Sequence, residues 1–66
     1  MTIQLNGEPF ETSGPVTISA LLHLLDIDAR RVAVEHNCLV VKRDAYPTTT
    51  VRERDQVEIV NFVGGG

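Results

Sequence analysis

The residues of this 66-residue chain that could take part in chemistry are few, and the most unusual of them are glycines. Three of its five glycines form the run Gly64-Gly65-Gly66, directly after Val63. Glycine has no side chain to pack and loses the most conformational freedom on ordering, so such a run adds nothing to a core. It supplies instead a thin strand without β-carbons, ending in an unhindered carboxylate, that can thread a channel too narrow for any other residue. The expectation is that residues 63–66 form a flexible functional tail, in which Gly64 and Gly65 thread and the Gly66 carboxylate is delivered to other proteins' active sites. The competing reading is a frayed terminus. The setting favours function, because the glycines follow a strongly apolar pattern from Val57 to Val63 with no serine-rich spacer, and the chain stops on glycine.

The other reactive side chains do not assemble into a catalytic pattern. His23 and His36 are the only histidines and Cys38 the only cysteine, which leaves no metal-ligand spacing. Both histidines read as structural or solvent-facing, since neither has a partner of the kind acid–base work needs. A reactive thiol needs a cationic or helix-N-terminal setting, so Cys38 reads as an incidental turn residue. No phosphate-cradling or nucleophile-elbow glycine motif is present. A net charge of −3 gives no footprint for nucleic acid, and no apolar run reaches membrane-spanning length. The single cysteine excludes an internal disulfide and fits a reducing compartment. The 42% hydrophobic content suffices for one small core, not for a core plus a deep substrate cleft. These features describe a cytoplasmic, monomeric single domain over residues 1–66, acted on by enzymes rather than acting as one.

The elements that must carry the tail follow from periodicity. Ile3 and Leu5 alternate within Thr2–Asn6, Asn6-Gly7 is a favoured hairpin turn, and Glu8–Thr12 returns with Phe10 as its apolar anchor. Pro9 lacks a backbone donor, which places the returning strand at a sheet edge. After the Ser13-Gly14-Pro15 loop, Thr17 is a candidate helix N-cap. Ile18, Leu21, Leu22 and Leu25 then make one apolar stripe, and the period breaks at Asp26–Arg30. Val32–His36 alternates as a strand, Asn37-Cys38 turns, and Leu39–Val41 is a shorter strand. Arg43–Thr50 reads as an irregular connection, Arg52–Asp55 as a solvated polar turn, and Gln56–Phe62 as the final strand. A hairpin, one helix and further strands make an α+β domain in the order of the β-grasp, or ubiquitin-like, fold. Its mixed sheet has one helix packed on one face, with the first and last strands parallel at the sheet centre. In the final strand Val57 and Ile59 point to the helix, whereas Val60 and Phe62 share the other face with Glu58. Either a loop covers this apolar pair, or Val60, Phe62 and the adjoining Val63 form a docking patch beside the tail.

The sequence resembles the ThiS family of thiamine-biosynthesis sulfur carriers, which are ubiquitin-like proteins. The resemblance spans nearly the whole chain. It rests on Ile3-Gln4-Leu5-Asn6-Gly7, Val16-Thr17-Ile18 before Leu21-Leu22, Val32-Ala33-Val34 with Asn37, Val40-Val41 and Arg43. It continues through Asp55-Gln56-Val57-Glu58-Ile59-Val60 to Val63-Gly64-Gly65-Gly66. It implies that an E1-like adenylyltransferase of the ThiF type adenylates the Gly66 carboxylate with ATP. Sulfur from a desulfurase persulfide then replaces the AMP, and a thiazole synthase of the ThiG type takes sulfur from the resulting thiocarboxylate. On this reading the chain binds no cofactor itself, and ATP and the persulfide belong to its partner enzymes. Cys38, Lys42 and His36 depart from what relatives often carry, none of them in the tail. The alternatives are a carrier for molybdopterin or another sulfur-containing metabolite, and a non-catalytic ubiquitin-like interaction module with an inert tail.

Overall fold

The computed structural model describes residues 1–62. Strand β1 (Thr2–Leu5) turns at Asn6-Gly7 into β2 (Glu8–Glu11). Asn6 and Gly7 take positive φ, 50° and 82°, the geometry that lets a two-residue turn follow the strand twist. Strand β3 (Val16–Thr17) runs into helix α1 (Ile18–Leu24). As expected, Thr17 caps the helix, its Oγ1 accepting from the Ala20 N–H at 3.1 Å. The break in the apolar period also has a cause. Asp26 takes φ 58°, its N–H donates to the His23 carbonyl at 3.1 Å, and the Ile27 N–H donates to the Leu22 carbonyl at 2.9 Å. These paired bonds are a Schellman C-cap, which ends a helix and folds the next apolar residue back against it.

The remaining strands are β4 (Val32–His36), β5 (Leu39–Val41), β6 (Thr50–Val51) and β7 (Gln56–Asn61). Five of the seven described strands form one mixed sheet in the order β2-β1-β7-β4-β5. β1 and β7 pair in parallel, and every other pairing in that sheet is antiparallel. The first and last strands therefore meet inside the sheet, and Pro9 lies on an edge strand, both as the sequence indicated.

The core consists of Ile3, Ile18, Leu21, Leu22, Val32, Val34, Tyr46, Val51 and Val57, each at most 3% exposed. Full burial of an aliphatic side chain of this size contributes about 1.5–3 kcal/mol. It is this packing, not intrinsic propensity, that holds a seven-residue helix. Two members of the core correct the sequence reading. Tyr46 lies in the stretch read as an irregular connection, and Val51 was given no role. The structure pairs Val51 with Val16 and Thr50 with Thr17, making a separate two-stranded sheet of β3 and β6. Short 3-10 turns at Ala29–Arg31 and Arg43–Ala45 were likewise unexpected. Elements of two or three residues are too short to show a period. The segment after Arg43 also has a specific task, because the Thr49 and Tyr46 carbonyls accept from the Ile18 and Ser19 N–H groups at 2.9 and 3.0 Å. Those donors open the helix and have no partner within it.

Candidate functional site at the end of the last strand

Strand β7 leads directly to the glycine run, so whatever fixes β7 fixes where the tail leaves the domain. Its neighbours β1 and β4 flank it, and two turn asparagines add side-chain bonds to their ladders. Asn6 Oδ1 accepts from the Ile59 N–H at 2.7 Å, its Nδ2 donates to the Ile59 carbonyl at 3.3 Å, and its own N–H donates to the Val57 carbonyl at 2.9 Å. On the other side the Asn37 N–H donates to the Gln56 carbonyl at 2.8 Å, and Asn37 Oδ1 accepts from the Gln56 N–H at 2.9 Å. Both asparagines adopt the left-handed backbone of their turns, φ 50° and 52°. Asparagine tolerates that region, and its short amide imitates a peptide group there. Sequence reasoning identified both residues as turn formers and missed this second role. Farther along, Asn61 lies opposite Val32, and the Phe62 N–H donates to the Arg31 carbonyl at 3.0 Å.

The two faces of β7 differ as the alternation required. Val57 is fully buried and Ile59 packs against the core. Val60 and Phe62 point away from it and are 60% and 53% exposed, so no described segment covers them. Val63, Gly64, Gly65 and Gly66, the remaining residues read as docking, threading and reacting groups, lie outside the described residues.

The structure does not bring the other candidates together. His23 sits near the C-terminal end of α1 beside Asp26 and Asp28, whereas His36 ends β4. Cys38 is exposed in its turn. His36 has a partner the sequence reading overlooked. Its Nε2 lies 2.7 Å from Asp55 Oδ2, and both side chains are only 19% exposed. Asp55 therefore does not belong to a freely solvated turn. Burial pushes its carboxyl up, but hydrogen bonds from His36, the Arg52 N–H and the Asn37 amide outweigh burial and leave it below the usual carboxylate range. The arrangement ties the 52–55 turn to the β4–β5 hairpin. Among the described residues no group of three or more His, Cys, Asp or Glu could hold a metal ion, and no helix is long and apolar enough to cross a membrane.

Comparison with known proteins gives a consistent picture. The model of the ThiS family matches residues 3–66, a span that takes in all three terminal glycines. The crystal structure of a thiamine biosynthesis protein (ThiS) from Geobacter metallireducens superimposes with a TM-score of 0.88 at 38% identity, covering 100% of both chains. The sulfur carrier protein ThiS of Bacillus subtilis is 35% identical over 65 residues, covering 97% of this chain and 98% of that one. A thiazole synthase of Paramagnetospirillum magneticum is 42% identical over 66 residues, all of this chain but only 20% of that protein.

Proposed function

The chain belongs to the ThiS family, and on that premise we propose that it is a sulfur carrier of thiamine biosynthesis whose working atom is the carboxyl carbon of Gly66. The observation that carries this reading is the family match running through residue 66, a span that includes the glycine run. The chemistry suits such a tail. A carboxylate is a poor acyl donor, because its leaving group would be oxide. One of its oxygens attacks the α-phosphorus of ATP, pyrophosphate leaves, and the acyl carbon now carries AMP as a good leaving group. The terminal sulfur of a persulfide displaces the AMP to form an acyl disulfide, and a second thiol then attacks the donor's sulfur, forming a disulfide there and releasing a thiocarboxylate that is nucleophilic at sulfur. With glycine at the last three positions no β-carbon obstructs either attack.

The catalytic groups belong to partners: an E1-like adenylyltransferase, a desulfurase-derived sulfur donor and a thiazole synthase. The thiazole synthase of Paramagnetospirillum magneticum supports the last of these, since one polypeptide of that name carries a segment like the whole of this chain. That relative also favours the thiazole pathway over a molybdopterin carrier. Val60 and Phe62, exposed beside the tail, are the docking residues on this reading, with Val63 continuing the patch. The test is ATP–pyrophosphate exchange by the adenylating enzyme with Gly65→Trp as substrate. Exchange should be abolished while the melting temperature is unchanged. Exchange at the wild-type rate would contradict the threading role of Gly65, and absence of exchange with the wild-type chain would favour an interaction module with an inert tail.

A further inference from the structure

The six basic residues of the chain are Arg30, Arg31, Lys42, Arg43, Arg52 and Arg54, and all lie in connections. The strands of the five-stranded sheet contain no lysine or arginine. Their alternation puts Val34 and Val57 in the core, so Glu35 and Glu58 lie on the open face, where both are exposed. The register sets these two glutamates directly opposite each other on β4 and β7. Like charges facing each other across a ladder are destabilising. Among the described residues, neither the Arg30–Asp28 ion pair nor the His36–Asp55 contact involves them. Toward β5 and the tail the same face is apolar, whereas on its other side it carries Gln56 and, opposite it on β1, Gln4. Val40, 76% exposed, lies opposite Glu35 on β5, Ala33 lies opposite Val60, and Phe62 follows toward the tail.

We propose that this open face docks the adenylating enzyme through a cationic side chain, best an arginine, seated on Glu35 and Glu58 and flanked by apolar contacts to Val40, Val60 and Phe62. This rests on the carrier reading. Charge complementarity carries it further: a protein that covers the apolar flank strips water from two carboxylates, which is costly unless it supplies a counter-charge. A guanidinium fork matches two carboxylates better than an ammonium does. A partner without the cation is rejected, so the pair sets specificity while the apolar flank supplies contact area. The adenylating enzyme is the occupant because the tail's first chemistry takes place on its free carboxylate, and Phe62 lies four residues from Gly66.

The test compares the wild-type chain with Glu35→Gln/Glu58→Gln in ATP–pyrophosphate exchange, at low and high salt, alongside thermal melting. The double substitution should raise KM for the chain at least about tenfold, because the partner's cation is left buried without a counter-charge. It should leave kcat unchanged, flatten the salt dependence of KM, and not lower the melting temperature. An unchanged KM with unchanged salt dependence overturns the inference and leaves the carrier reading standing. A lowered melting temperature also overturns it, because the two carboxylates would then serve the fold. Absence of exchange with the wild-type chain overturns the carrier reading, and this inference with it.

Discussion

Cys38 is the second residue of the β4–β5 turn and holds φ at 71°, a region in which a β-carbon crowds the backbone. The corresponding residue of the first hairpin is Gly7, at φ 82°. Replacing Cys38 with glycine should therefore stabilise the protein by about 1 kcal/mol, part of the relieved strain being offset by a freer unfolded chain. Thermal melting would register this as a rise of about 4–8 °C for a domain of this size. Two carboxyls, Asp28 and Asp55, are depressed in the folded state. Hydrogen bonds from the Arg30 side chain and backbone hold exposed Asp28 down at about 2, and Asp55 also lies below its ordinary value despite the opposing effect of burial. A carboxyl depressed in the folded state stabilises fully above its unfolded pKa, and that contribution is lost as pH falls through the folded one. Stability should therefore decline as pH drops from about 4 toward 2. Asp55→Asn should flatten the decline, which chemical denaturation at several pH values would measure. An equally steep decline in the variant would remove Asp55 from the explanation.

At the scale of elements, β7 depends on its two asparagine partners. Asn6→Ala deletes both side-chain bonds to Ile59 and puts alanine at φ 50°. It should cost about 2 kcal/mol, and hydrogen exchange at the Ile59 amide should quicken more than at core amides of β4. Uniform quickening would mean that Asn6 supports the whole fold and does not act locally on β7. The longer strands and the helix are legible because each is long enough to show its period, and three-residue β5 because the Asn37-Cys38 turn precedes it. Ile3 and Leu5 alternate, and Ile18, Leu21, Leu22 and Leu25 recur at helical spacing. The Val60–Phe62 side of β7 was legible for the same reason, since alternation assigns a face without knowledge of any partner strand. β3, β6 and the burial of Tyr46 and Val51 were not, because a two-residue strand is defined by a partner more than thirty positions away. The facing glutamates, the second role of Asn6 and Asn37, and the His36–Asp55 contact were hidden likewise. Each depends on cross-strand register or tertiary contact, which no local spacing encodes.

The whole molecule is a small α+β domain whose core holds one strand in place so that the chain leaves the sheet beside an exposed apolar and acidic face. The described core draws on residues between Ile3 and Val57, outside the glycine run. Removal of Gly65 and Gly66 should leave the melting temperature unchanged and abolish carrier activity. As a carrier, the chain must have its Gly66 carboxylate converted to a thiocarboxylate. Intact-protein mass spectrometry of the chain, co-expressed with its adenylating enzyme and a persulfide sulfur source, tests it most directly. The expected result is a mass gain equal to one oxygen exchanged for sulfur, located on the C-terminal peptide and absent from the truncated chain. An unchanged mass, with no acyl-adenylate formed from ATP, would contradict the carrier role.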